Sequence, residues 1–434
     1  MPRLLQDNEM DEIFATSDSI DHEEYVIVHY KLIPGKGFNI DETAALLAIN
    51  TSLGTMKPLS YENSPSRMAA SAKVLFTAMS GEIGNVQIAY PLNLCEPARG
   101  LTQLLSVIWY TAEYNFTSGY WVENIDFPKS FLRHYKGPKY GIEGIRQSIN
   151  IPSRPIIGAI IKPRGGTSLK PILQASYECL RGGFDFIIDD ELIVDPKGEL
   201  AFENRVSKLL EVTQAAWRQT GEKKWYIVNV NASPLKALLY AKKAKQIGVN
   251  GLLVNAFTMG FAALDDLATQ MDIDLPIITC NMGTAILTRP QQFAGASEVL
   301  ISKLSRIAGA DGMYSGIVGS SWYSMDIFRA SLAALRRPYY DLNRSFPVVA
   351  GGLNILNLGE NLVAQGPDII LEVGSSIMDY PSGPRNGASA FRTIIENVSP
   401  NMSPDELERK LITLGNTHEH VRVGLIKYGF TPRQ

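Results

Sequence analysis

The chain has 434 residues, of which 45% are hydrophobic and 20% charged, with a formal net charge of −3. That length holds two domains with sizeable cores, and the charge excludes a basic surface for nucleic acid. The three cysteines (Cys95, Cys179, Cys280) form no CxxC pair, a pattern that fits reduced structural thiols rather than a disulfide frame or a zinc site.

The N-terminal stretch MPRLLQDNEMDEIF carries acids early and has no apolar core segment, and no run reaches membrane-spanning length. A cytoplasmic protein without membrane contact is expected. YVIVHYKLI (Tyr25 to Ile33) reads as a strand and ETAALLAINTSLG as a helix with Gly54 near its end. AKVLFTAM and NVQIAYPL read as two more strands, GLTQLLSVIWYTAEY as a helix, and GYWVENIDFP as a further strand. Mixed strands and helices without strict alternation predict an α+β domain over residues 1–135. The aromatic stretch from Trp109 to Trp121 suits domain core; a dimer interface or a lid over a partner's site is the sharper alternative. Residues 136–153, rich in Gly, Pro and Lys, read as a linker.

After Arg154 the pattern changes. Eight apolar runs follow: IIGAIIK, FDFIIDD, WYIVNVN, GLLVNAF, PIITCN, DGMYSG, FPVVAGG and DIILEVG. A helical pattern separates each from the next. This is the rhythm of a TIM (β/α)8 barrel over residues 154–434, ending in a helical tail. A doubly wound sheet is the alternative, which the near-regular repeat disfavours.

In a barrel the chemistry gathers at the C-terminal ends of the strands. Those ends carry Lys162 and Arg164, then Asp189, Asp190 and Glu191, then Asn229, Asn231, Asn255, Asn281 and Thr284. The last three carry Ser315 and Ser320, Gly351 and Gly352, then Gly374, Ser375 and Ser376. Adjacent carboxylates offer oxygen ligands to a hard cation such as Mg²⁺, or form an acidic turn or helix cap. Alternation along a strand lets only some of the three point inward together. A lysine closing an apolar strand is partly desolvated and suits proton transfer, or forms an ion pair with an acid of the next strand. Glycines ending the last two strands let backbone N–H groups approach a phosphate, or simply make tight turns. No histidine lies between His134 and His418, so proton transfer in the barrel falls to lysine or carboxylate.

These residues resemble the ribulose bisphosphate carboxylase/oxygenase (RuBisCO) family. IKPRGG (161–166) looks like the family's IKPK-type motif, and ECLRGGFDFIIDDE (178–191) like its metal-site motif, GG-x-DF-x-K-DDE. The likeness extends through INTSLGTM, GPKYGIEGIR, NVNAS, DGMYSGIVG, AGG and EVGSS, in family order along nearly the whole chain. It implies an N-terminal α+β (ferredoxin-like) domain, a TIM barrel and a homodimer with sites shared between subunits. Asp190 and Glu191 take two of the metal-ligand positions. Ile188 stands where the family carries the lysine that becomes carbamylated. Ser320 lies in the loop expected to hold a second catalytic lysine. Tyr314, Asn281 and Thr284 replace a His, an Arg and a His, and Asn50 a Glu. Lys162 is retained and Arg164 replaces a lysine. One phosphate site is retained: Gly352, Gly374 and Ser375, with Thr55 of the partner subunit.

The resemblance thus implies a RuBisCO-like enzyme that does not fix CO2. It would act by proton transfer and enolisation next to a carbonyl, on a phosphorylated keto-sugar or sugar acid, as an isomerase, enolase or decarboxylase. Mg²⁺ would be weakened by Ile188, and no organic cofactor is implied. A non-catalytic sugar-phosphate-binding or regulatory protein on the same fold is the competing expectation.

Overall fold

Eight parallel strands close into a barrel because their sequences are apolar on both faces. One face fills the interior and the other meets the surrounding helices. The computed structural model describes residues 10, 12–55, 59–62, 64–109, 115–288, 294–319 and 324–430. The chain divides into two units: Met1–Lys136 with Gly283–Ala308, and Gly137–Met282 with Gly309–Gln434.

In the first unit, strands β1 (Tyr25–Pro34), β2 (Lys73–Ser80), β3 (Ile83–Pro91) and β4 (Thr117–Asp126) form an antiparallel sheet ordered β4-β1-β3-β2. With helix Ile40–Ser52 between β1 and β2, and Leu101–Ile108 between β3 and β4, this is the β-α-β-β-α-β ferredoxin-like arrangement. Asn39 caps the first of these helices: its side chain accepts the Glu42 N–H, and the Glu42 side chain returns to the Asn39 N–H. The second helix ends at Ile108, short of the predicted Tyr114, and residues 110–114 lie outside the described residues. Phe116 and Tyr120 of the aromatic stretch are buried.

Ten barrel residues alternate on the inner face of the second unit's first strands: Ile156, Ile160, Phe186, Ile188, Trp225, Ile227, Leu253, Ile278, Cys280 and Tyr314 pack in one cluster with Phe346, Val348 and Ile370. The strands are β5 (Ile156–Ile160), β6 (Phe186–Ile188), β7 (Trp225–Asn229), β8 (Gly251–Asn255) and β9 (Ile277–Cys280), then β11 (Gly312–Tyr314), β12 (Phe346–Val349) and β13 (Ile370–Val373). All eight predicted runs are barrel strands, and β9 pairs with β11 to close the ring. Gly158 occupies the inward position between Ile156 and Ile160. A Cβ there would sit 2.5 Å from the Phe186 ring, so this glycine makes room for a large neighbour.

Two features depart from the sequence reading. Residues Ala294–Ala296 form a short strand, β10, which pairs in parallel with β4 and adds a fifth strand to the first unit's sheet. Three small residues carry no β-branched or alternating signal, so the pattern could not mark them. The stretch read as linker contains a helix, Gly141–Ile149. Its Ile142, Ile145 and Ile149 join the barrel cluster, and the last two meet Ile156, Phe186, Trp225 and Ile278 at the strands' N-terminal end. Asp311 anchors the helix start: one oxygen accepts the N–H groups of Tyr140 (2.6 Å) and Gly141 (2.7 Å), the other that of Ile277 (2.8 Å). Burial nonetheless lifts the Asp311 carboxyl to about 6.

Because this helix supplies the floor of the barrel, Ile145→Ala is expected to cost about 2–5 kcal/mol in denaturant unfolding. A loss below about 1 kcal/mol would show that the floor is not packed as described.

Candidate active site

The inward parity of β5 and β6 continues past their last apolar residues and brings Lys162 and Asp190 together. Ile160 pairs with Ile188 across the two strands, so the next residues of the same parity, Lys162 and Asp190, meet above them. Lys162 Nζ donates a hydrogen bond to Asp190 Oδ2 and lies 3.9 Å from Glu191 Oε2. Arg164 Nε stands 3.5 Å from the same Asp190 oxygen. Asp190 is fully buried, Lys162 is 21% exposed and Arg164 51% exposed, so the cations run from above the barrel's apolar layer towards solvent. The ion pair weighed as the plainer reading of Lys162 is the contact observed.

Asp189 has the opposite parity and points away from this group. Its carboxylate binds Arg205 Nη2 (3.1 Å) and accepts the Tyr226 hydroxyl (2.9 Å) and the Asn229 N–H, all buried. Of the three acids in sequence, then, one belongs to the scaffold and two to the site. Glu191 is held above the ordinary carboxylate range, chiefly by burial and then by the Asp190 charge, with Lys162 and Arg164 opposing.

A cleft of about 350 Å³ opens beside Lys162 and Glu191. Ala350, Gly351, Gly352, Leu353, Gly374 and Ser375 form much of its wall, so three of the predicted phosphate residues share it. Gly351 and Gly352 take φ of 88° and 96°, a conformation that a side chain would resist. The amides of Asn354 and Asn357 both donate to the Gly352 carbonyl and fix this turn.

The remaining predicted residues are distributed elsewhere. Asn229 is fully buried and braces the acidic loop, its amide donating to the carbonyls of Asp190 and Glu191. Asn281 follows β9, while Thr284 is buried in the segment that clusters with the first unit. Thr55 belongs to the first unit, where its hydroxyl accepts from Arg67 (2.9 Å), itself paired with Glu62. Ser320 lies outside the described residues.

Ile188 is fully buried within the barrel's apolar cluster, in register with Ile160 and Ile227. It offers no ligand atom. One Asp190 oxygen is taken by Lys162 and the other accepts the Leu192 N–H. Among the described residues no group of three His, Cys, Asp or Glu side chains could hold a metal ion. The donor set as it stands does not fit Mg²⁺: the cation would have to displace Lys162.

One residue of the cleft escaped the sequence reading. Glu372 sits in β13, two residues after Ile370, on the inward parity. It is buried, lines the cleft, and accepts a hydrogen bond from the Tyr314 hydroxyl. Burial, aided by the Glu191 charge and opposed by the Tyr314 hydrogen bond and Lys162, lifts its carboxyl to about 8. Burial also holds the Tyr314 hydroxyl well above its usual range. A glutamate inside an apolar strand run, DIILEVG, was the available signal.

Sequence profiles of the ribulose bisphosphate carboxylase large chain match residues 14–131 (N-terminal domain) and 141–421 (catalytic domain). A ribulose bisphosphate carboxylase-like protein of Archaeoglobus fulgidus is 32% identical over 395 residues, covering 88% of this chain and 89% of its own. A ribulose bisphosphate carboxylase of the same organism is 28% identical over 426 residues, covering 93% and 94%. Among solved structures, the dimeric archaeal Rubisco of Hyperthermus butylicus superposes with a TM-score of 0.86 at 28% identity, covering 97% of this chain and 100% of that one. The octameric Rubisco of Pyrococcus horikoshii, in complex with sulfate, gives 0.86 at 26% identity, covering 97% of each.

The raised Glu372 carboxyl has a consequence for stability. A group whose folded pKa lies above its unfolded value stabilises the fold below the unfolded value and loses that contribution as pH rises through the folded one. The thermal unfolding temperature of wild type should therefore fall relative to that of Glu372→Gln as pH rises from 4.5 towards 8. A constant difference across that range would show that Glu372 ionises normally.

Proposed function

The chain belongs to the ribulose bisphosphate carboxylase large-chain family, and we propose that it is a non-carboxylating member that enolises a phosphorylated keto-sugar or sugar acid. The observation that carries this reading is the pairing of an intact Lys162–Asp190 contact with a buried isoleucine at position 188. An isoleucine cannot form a carbamate, so the third metal ligand implied by the resemblance is missing while the proton-transfer group remains.

The proposed step is removal and return of a proton at carbon next to the substrate carbonyl. Lys162 moves that proton, with Asp190 holding its ammonium between steps. The negative charge that develops on the enediolate oxygen is met by Lys162 and by Arg164. Arg164 does not act as a base, because a guanidinium stays protonated at ordinary pH. The glycine turn at Gly351–Gly352 and the Gly374–Ser375 segment hold the phosphate. The active assembly is proposed as a homodimer in which Thr55 of the partner subunit completes this phosphate site. The dimeric Rubisco of H. butylicus supports that assembly.

The test is deuterium exchange, followed by NMR, on a panel of ketose monophosphates in heavy water, run with chelator. Wild type should exchange the proton next to the carbonyl of at least one panel member. Lys162→Ala should slow exchange by about 10²–10⁴-fold. Labelled CO2 with ribulose bisphosphate should give no carboxylated product. Exchange that survives Lys162→Ala, or carboxylation by wild type, would overturn the reading.

A further inference from the structure

The cleft contains a buried carboxyl that the proposed reaction does not use. Glu372 lies on β13, which neighbours β5 in the barrel, as β6 does on the other side. Glu372 on β13, Lys162 just past β5 and Asp190 just past β6 therefore lie along three consecutive strands. Within the barrel, Tyr314 of β11 reaches Glu372 and donates to its Oε2. The other carboxyl oxygen, Oε1, is buried and has no hydrogen-bond partner among the described residues. A buried polar atom left unpaired is costly, and here it belongs to a residue that lines the same cleft as Lys162, Gly352 and Ser375.

We propose that Glu372 is a substrate-contacting residue, a carboxylic acid group that donates a hydrogen bond from Oε1 to an oxygen of the bound sugar phosphate, with Tyr314 as its positioning residue. The inference rests on the reading of this cleft as a sugar-phosphate site.

The arrangement determines the direction of that hydrogen bond. The Tyr314 proton is directed at Oε2, so the carboxyl accepts there. A proton on the carboxyl then resides on Oε1, the oxygen that lacks a partner. The titratable groups facing Glu372 are Tyr314, Glu191, Lys162 and, across the barrel, Cys280. Burial is the dominant influence and favours the neutral acid, and the Glu191 charge acts in the same sense. Burial likewise lifts the Cys280 thiol to about 12, so it adds no charge near neutral pH. A neutral acid in an apolar site is a donor that water does not compete with, and it suits an oxygen that gains negative charge, such as the enediolate. Lys162 and Glu372 would then hold the substrate's oxygens from two adjacent strands.

The test titrates D-ribulose 5-phosphate and, separately, inorganic phosphate into wild type, Glu372→Leu and Glu372→Gln, with thermal unfolding measured on each. Leucine removes the donor and keeps an apolar volume. Glutamine keeps an acceptor for Tyr314 and supplies an amide donor in place of the acid. The expected result is that Glu372→Leu binds D-ribulose 5-phosphate about tenfold more weakly, that Glu372→Gln stays close to wild type, and that phosphate affinity is equal in all three. Sugar-phosphate affinity equal in wild type and Glu372→Leu, or undetectable in both, overturns the inference. So does a Glu372→Gln loss as large as that of Glu372→Leu, which would mean that the contact requires charge rather than a donor. Failure of wild type to bind inorganic phosphate would instead count against the phosphate wall of the proposed function, and it is read in the separate titration.

Discussion

The contact between Lys162 and Asp190 is the interaction on which the candidate site depends. It follows from the register of β5 and β6, which sets Ile160 beside Ile188 and so places the next inward residues side by side. Above the apolar layer the interior becomes charged within one residue step. Lys162, Asp190, Glu191 and Arg164 compensate one another there, and two positive and two negative side chains share a partly buried space. A charge in such a place is tolerated only when paired, so each member constrains the others. Removing Asp190 would leave the Lys162 ammonium without its closest partner, and the proposed proton transfer without its holding group.

The same alternation explains how much was legible in the sequence. Strands buried on both faces read as continuous apolar runs, which is why all eight barrel strands are recognisable from IIGAIIK to DIILEVG. Alternation also separates Asp189, bound to Arg205 and Tyr226, from Asp190 and Glu191. It could not assign which of the three turned inward until the register with β5 was known. Glu372 was not legible because it lies within an apolar run, whereas the other site residues follow the ends of such runs. The helix Gly141–Ile149 was hidden by flanking Gly, Pro and Lys residues, although its Ile142, Ile145 and Ile149 fall at helical spacing. The partner of Tyr314 was beyond sequence reasoning, since its contact with Glu372 spans 58 positions of the chain.

Two features mark the interior of this barrel, and they lie at different places on the ring. At position 188 an aliphatic side chain completes the core between Ile160 and Ile227, which removes a polar ligand from β6. At positions 314 and 372 a tyrosine and a glutamate form a buried hydrogen bond that links β11 and β13. Glu372, Lys162 and Asp190 thus lie on or just past three neighbouring strands, β13, β5 and β6, and Glu372 and Lys162 line the glycine-walled cleft. In the proposed reaction, Lys162 and Arg164 supply the positive charge that meets the enediolate.

In the proposed reading, the Lys162–Asp190 pair occupies the place of a carbamate-dependent metal centre. Calorimetric titration of Mg²⁺, with and without bicarbonate, into wild type and Ile188→Lys tests it most directly. Wild type should bind little or no Mg²⁺, with no effect of bicarbonate, and Ile188→Lys should show bicarbonate-dependent binding. Bicarbonate-dependent Mg²⁺ binding by the wild-type chain would contradict it.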